Sequence, residues 1–253
     1  MSVDQLTELQ HRLLDARIAR HCLDATEFES AEMDQAYEIQ SQLIQQYCHE
    51  TASTVSGWKV ALSGALAKAK YGLQHPVYGH LCADMQLAND SCIELTQLYQ
   101  PKLEVELAFI LKETISTADS TDAELLEKVG SIRPAIEIAD TRWLNWQFNL
   151  GQFLADNSAA QFYVLGDEVD VSIHDLDIHS LIEHANVEVT VTTQPEDQPI
   201  RNYLWLVRTL LAQHKSLQAD EVILTGSIIR PMDLKAGQYQ FQVLGQQVSL
   251  KVT

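Results

Sequence analysis

Lys102-Leu-Glu-Val-Glu-Leu-Ala-Phe-Ile-Leu111 is the stretch on which the fold turns. Side chains alternate across a β-strand, so Leu103, Val105 and Leu107 share one face while Glu104 and Glu106 share the other. The run stays apolar through Ala108-Phe-Ile-Leu111, which predicts a core strand. Residues two apart on a strand are separated by roughly 6.5 Å, close enough for two carboxylates to converge on one cation. Charges in a core are costly unless they are paired or coordinate a metal. The same spacing also suits an acidic strand face in water, and Glu27/Glu29 reads most simply that way. Spacing alone leaves both readings open.

Further along, Arg133-Pro-Ala-Ile-Glu-Ile-Ala-Asp-Thr-Arg142 is another strand-like apolar run, carrying Glu137 and ending on Asp140 and Arg142. A strand-end salt bridge would explain the last two residues. A buried Glu137, however, would complete a triad of oxygen ligands with Glu104 and Glu106. Oxygen-only ligation favours Mg²⁺ or Mn²⁺ over zinc and leaves about half of an octahedral shell open for water or a chelating substrate.

Outward from these runs, the first fifty or so residues predict two helices. Leu6, Leu9, Leu13, Leu14 and Ile18 recur at helical spacing, as do Met33, Tyr37, Ile39, Leu43, Ile44 and Tyr47. After Ser56, strand-like runs alternate with turn signals: 57–62, 92–95, 102–111, 132–139, 187–193, 221–225, 239–244 and 247–252. Thr121 with Glu124 three residues on forms a capping-box pattern for one helix. Residues 203–217 predict another, with Leu204, Val207, Leu210 and Leu211 as its apolar face. The segment 194–199 is rich in breakers and reads as a turn. No repeat or linker divides the chain. The expectation is a single α+β catalytic domain over 1–253, a helical segment (1–56) ahead of a strand-rich body (57–253).

Composition narrows the function. The 253 residues are 46% apolar and 21% charged, which suits a globular core. Seventeen basic against 35 acidic residues give a net charge of −18, which repels phosphate backbones and argues against a nucleic-acid partner. No apolar run approaches the roughly 20 residues of a membrane helix, and no secretory signal opens the chain, so a cytoplasmic, membrane-free protein is expected. Cys22, Cys48, Cys82 and Cys92 form no C-x-x-C pair and read as reduced thiols, mostly buried. There is no dinucleotide fingerprint, P-loop, G-x-S-x-G elbow or H-E-x-x-H zinc helix.

An ordered set of segments then resembles the 2-keto-4-pentenoate hydratase / 4-oxalocrotonate decarboxylase group of the fumarylacetoacetate hydrolase superfamily. They are Gly57-Trp-Lys-Val-Ala-Leu-Ser63, residues 71–81, Lys102-Leu-Glu-Val-Glu-Leu-Ala-Phe109, Pro134-Ala-Ile-Glu-Ile-Ala-Asp-Thr-Arg142, Ala155-Asp-Asn157 with Val164-Leu-Gly166, and Leu224-Thr-Gly-Ser227. The resemblance implies a mixed β-sheet roll behind an N-terminal helical segment, in homo-oligomers. It implies Mg²⁺ or Mn²⁺ on Glu104, Glu106 and Glu137, and Lys59 as the catalytic lysine; from the residues alone Lys59 is a strand-end surface lysine. Small 2-oxo or 2-hydroxydienoic acids from aromatic-ring degradation are the implied substrates, with Arg142, Asn157 and Ser158 as expected substrate contacts.

Three positions depart from the group's pattern. Where hydratases carry Pro-Asp-(Tyr/Phe)-Gly, this chain has Pro76-Val-Tyr-Gly79. Valine cannot shuttle a proton, so Val77 brings decarboxylation nearly level with hydration, which stays the nominal first expectation; acylpyruvate hydrolysis and a non-catalytic acidic binding protein of the same fold rank lower. Ser158-Ala159 reverses the usual Ala-Ser, and Ser63-Gly64 replaces Thr-Ser or Thr-His.

Overall fold

The computed structural model describes residues 1–176, 182–191 and 198–253. The chain opens with α1 (Val3–Ala19) and α2 (Met33–Thr51), each started by a reciprocal capping box, Ser2 with Gln5 and Glu32 with Gln35. Leu9, Leu13 and Ala16 of α1 and Ala36, Ile39, Leu43 and Ile44 of α2 are buried, whereas Ile18 and Met33, on the same period, are exposed. Strand β1 (Val55–Ala61), helix α3 (Ala65–Tyr71) and strand β2 (Val77–Cys82) follow, then the short β3 (Gln86–Leu87) and β4 (Cys92–Ile93). The long strands β5 (Lys102–Leu111) and β6 (Val129–Ala139) flank α4 (Asp122–Leu126), which the expected Thr121–Glu124 box caps. Helix α5 (Leu150–Ala155), β7 (Ala160–Leu165), β8 (Ile182–Ala185), α6 (Gln198–Ala212), β9 (Val222–Leu224), β10 (Met232–Asp233), β11 (Gly237–Val243) and β12 (Gln246–Val252) complete the order.

Eight strands form the main sheet in the order β2-β1-β9-β5-β6-β7-β3, with β10 on β5; four form a second sheet, β4-β12-β11-β8. Both sheets are mixed: β1–β9, β3–β7 and β4–β12 run parallel, and the other pairs antiparallel. The main sheet buries both faces. Leu103, Val105, Leu107 and Phe109 of β5 and Ile136 and Ile138 of β6 join Tyr203, Leu206 and Leu210 of α6 and Phe241, Val248 and Leu250 of the second sheet in one core. On the opposite face, Ala108, Ala135 and Ala139 meet residues of α1, α2 and α5 in the other. A sheet covered on both sides must be near-continuously apolar, and against that background the glutamates of β5 and β6 stand out.

Several boundaries differ from the sequence expectation. The strand expected at 187–193 lies earlier, at Ile182–Ala185. Asn186 ends it: its side chain donates to Gln238 O and accepts from Gln240 N, taking over the ladder's bonds. Val191 retains an isolated bridge to Ile229, and 192–193 lie outside the described residues. Helix α6 begins at Gln198, five residues before the expected start, because Pro199 fits a first turn where no amide proton is needed. It ends before the left-handed His214 (φ 59°) rather than at Leu217, which bridges to Ile115 instead. Of the expected turn, 194–197 fall outside the described residues. The cysteines are free but not mostly buried: Cys82 is buried, Cys22 and Cys48 half-buried, and Cys92 exposed. No helix is long and apolar enough to cross a membrane among the described residues.

Candidate metal centre

Antiparallel pairing of β5 with β6 sets Glu104 directly opposite Glu137 and Glu106 opposite Ala135. All three glutamates thus project from one sheet face, and an oxygen of each lies within 4.8 Å of an oxygen of the other two. The acidic-face-in-water reading fails on burial: Glu106 is 0% and Glu137 1% exposed. Beside them, β1 places Lys59 next to β9, opposite Leu224, and buries it to 2% exposure. Its Nζ lies 2.7 Å from Glu137 Oε1 and donates to Ser158 O at 3.1 Å. Glu106 Oε2 accepts from Gly226 N at 2.8 Å. Glu106 Oε1 and Glu137 Oε2 are buried without any hydrogen-bond partner among the described residues.

The electrostatics follow from this crowding. Burial, then the charge of Glu137, raises Glu104 to about 7 against the opposing pull of Lys59. Burial and the two neighbouring carboxylates push Glu106 well above the usual carboxylate range. For Lys59 burial pulls downward, yet Glu137, Glu104 and Glu106 together outweigh it and hold the ammonium above its ordinary value. Proximity to glutamate therefore overrides the depression expected for a lysine in an apolar site. With all three carboxylates ionised, the cluster and the Lys59 ammonium would carry two net negative charges, which a divalent cation would cancel. Partnerless buried carboxylate oxygens cost several kcal/mol unless something coordinates them. An all-oxygen donor set fits a hard cation of the Mg²⁺ type.

Of the expected substrate contacts, Ser158 lies against Lys59, whereas Asn157 bonds His80 and Arg142 bonds Asp156 and Gln161. Asn157, Ser158 and Ala159 are consecutive left-handed residues, with φ of 52°, 50° and 60°. Each costs about 1 kcal/mol in that conformation, so neighbouring bonds must hold the turn. Asn157 Oδ1 accepts from His80 N at 2.8 Å and its Nδ2 donates to His80 O at 2.9 Å. Ser158 Oγ donates to Tyr78 O at 2.8 Å. Gly79 lets β2 approach, since a Cβ there would sit 2.6 Å from Asn157 O. Arg142 is fully buried and donates to Asp156 through Nε and Nη2 and to Gln161 Oε1 through Nη1. The structure thus brings Lys59, Ser158 and the three glutamates together, while Arg142 and Asn157 face inward onto this supporting network.

Residues not singled out from the sequence complete the network. Gln40 of α2 donates to Tyr78 O and Leu154 O and meets His80 Nδ1 at 3.1 Å. Burial, reinforced by the charge of Lys215, lowers His80 to about 3 and keeps it neutral. Gln40 sits between Ala36 and Ile44 at four-residue spacing, a polar residue on an apolar helix face, and that pattern marks it for burial.

Fold and site together define a class: a mixed-sheet protein that gathers interior carboxylates able to hold a hard divalent cation. The model of the fumarylacetoacetate hydrolase C-terminal region matches residues 72–248. A 2-keto-4-pentenoate hydratase of Paraburkholderia xenovorans is 31% identical over 216 residues, covering 83% of this chain and 79% of its own. A 4-oxalocrotonate decarboxylase of Pseudomonas putida is 23% identical over 252 residues, covering 96% and 95%. Among solved structures, 4-oxalocrotonate decarboxylase from Pseudomonas putida G7, complexed with magnesium and adipate, superposes with a TM-score of 0.87. That likeness spans 100% of this chain and 99% of the other at 19% identity, and speaks for the fold. The chain belongs to the fumarylacetoacetate hydrolase family.

Proposed function

We propose that this enzyme is a divalent-metal-dependent lyase of small 2-oxo or 2-hydroxydienoic acids, with hydration of 2-keto-4-pentenoate as its first activity. The observation that carries this reading is the buried Glu104–Glu106–Glu137 cluster with two partnerless oxygens beside a buried lysine. These three residues would hold Mg²⁺ or Mn²⁺. When bound, such a cation supplies Lewis-acid stabilisation of the negative charge that develops on a 2-oxo acid's ketone oxygen.

The chain's own residues do the rest. Lys59 has three N–H donors; Glu137 and Ser158 O take two, and the third serves to hold the substrate carboxylate or to deliver a proton. The left-handed turn at 157–159 fixes the carbonyl that aims Lys59. Arg142, through Asp156, and Asn157, through His80, position that turn. Ser158 stands at the substrate wall through its backbone. The whole chain acts as one catalytic domain in a cytoplasmic homo-oligomer, which light scattering after gel filtration tests.

A second reading rests on Val77. It pairs with Ala61, two pairs further along than Lys59 and so on the same sheet face, and it is 1% exposed. No carboxylate stands at that place to move a proton to or from water, whereas loss of CO₂ needs an electron sink and no such acid. Decarboxylation of a 4-oxalocrotonate-type acid is therefore the alternative. Assay of the purified protein with Mg²⁺ on 2-hydroxypentadienoate and on oxalocrotonate separates them. Hydration of the dienoate is expected; CO₂ release without hydration overturns the hydratase reading.

A further inference from the structure

Asn202 lies on α6, the helix whose apolar residues pack in the core between the sheets. Gln198, Asn202, Leu206 and Leu210 form a row at four-residue spacing, and all four are buried. Packing explains the leucines. A buried amide instead needs a partner, and Asn202 Nδ2 donates to Thr225 O at 2.7 Å. The next N–H along the chain, that of Gly226, donates to Glu106 Oε2 at 2.8 Å. Thr225 C=O and Gly226 N–H are the two ends of one planar peptide group, so a rigid unit links Asn202 to Glu106. A bond accepted at the carbonyl polarises the group and strengthens donation from its N–H.

The peptide's setting serves this orientation. Thr225 N and Oγ1 both reach Leu107 O, at 3.0 and 2.8 Å, pinning the chain on β5. Gly226 has φ 96°, a conformation open to glycine, and a Cβ there would sit 2.7 Å from Ser63 Oγ. The other oxygen of Glu106, Oε1, is buried and accepts nothing among the described residues.

We propose that Asn202 is a positioning residue of the metal centre: through the Thr225–Gly226 peptide it holds Glu106 Oε2 and so presents Oε1 to the cation. The inference rests on the metal reading of the three glutamates. Asn202 acts through that peptide, since its side-chain amide donates to Thr225 O. Outer partners that orient a ligand typically change metal affinity by roughly 10–100-fold.

The test is calorimetric titration of Mg²⁺ and Mn²⁺ into the purified full chain, wild type against N202A and N202D, each checked for folding by its unfolding midpoint in chelator. N202D keeps the side chain's shape but turns an oxygen toward Thr225 O. Both variants are expected to weaken binding by roughly 10–100-fold, N202D at least as much as N202A. With ¹⁵N-glycine labelling, the Gly226 amide is expected to move upfield in both, a local signature among ten glycines that general loosening would not produce. Wild-type affinity in the folded variants overturns the positioning role and leaves the metal reading standing. A wild type that binds neither ion overturns both. Should N202A fail to fold, N202D and N202S carry the same comparison.

Discussion

Lys59 and His80 are buried bases kept in opposite states by their neighbours. Lys59 sits against Glu137 and Ser158 O and stays charged; His80 meets an amide, packs on Trp58 and stays neutral. K59A should retain metal binding by calorimetry while turnover falls by roughly 10²–10⁴, the range for a lost general acid–base; turnover near wild type would remove Lys59 from the reaction. For His80 the folded value of about 3 lies below the ordinary 6.5. Unfolding therefore takes up a proton as pH drops below about 6.5, and stability is lost across the window from 6.5 to 3 at up to roughly 1.4 kcal/mol per pH unit. H80Q should flatten the fall of the thermal midpoint between pH 7 and 5; identical slopes for both proteins would refute this. Strand alternation put Glu104 and Glu106 on one face, but only the family resemblance joined them to Glu137 as one site. Lys59 was legible only through the family resemblance, because its burial comes from β9 and from a turn about one hundred residues away, contacts that no local pattern encodes.

At the level of elements, the left-handed turn between α5 and β7 depends on β2 coming close enough to bind it at Asn157 and Ser158. G79A should destabilise the protein by about 1–3 kcal/mol, the usual cost of overpacking, because its Cβ would press on Asn157 O. Chemical denaturation checks this, and an unchanged midpoint would mean that the turn yields freely. Strand β2 itself escaped the sequence reading: Gly79 and His80 interrupt an apolar run, and neither favours strands. Helix α6 was found but displaced, since the period of its apolar face says nothing about which turn begins it. The amides Gln198 and Asn202 would have marked its true start, as polar residues in phase with Leu206 and Leu210.

For the whole molecule, the three glutamates converge only when β5 and β6 are paired beside β1, so a cation held by them would bind the folded state alone and stabilise it by mass action. At a hundred times its dissociation constant, Mg²⁺ should add about 2.7 kcal/mol, roughly 5–10 °C in Tm for a chain of this size. Chelator should reverse the gain, and E106Q should abolish most of it in differential scanning calorimetry. A wild-type Tm indifferent to Mg²⁺, or an E106Q midpoint that responds fully, would displace the ligand assignment. The mixed-sheet architecture was anticipated through the order of family segments more than through periodicity, because short strands such as β3, β4 and β10 carry too few residues to show alternation.

The pairing of Glu104 opposite Glu137 has a consequence for how the chain avoids misassembly. Were β6 to pair one residue out of step, Glu137 would turn into the apolar space between the two sheets, far from Lys59. Charge stranded there would make the misaligned hairpin much less stable than the native one. The acidic cluster would thereby disfavour the misaligned pairing, because only the native register sets Glu137 beside Lys59.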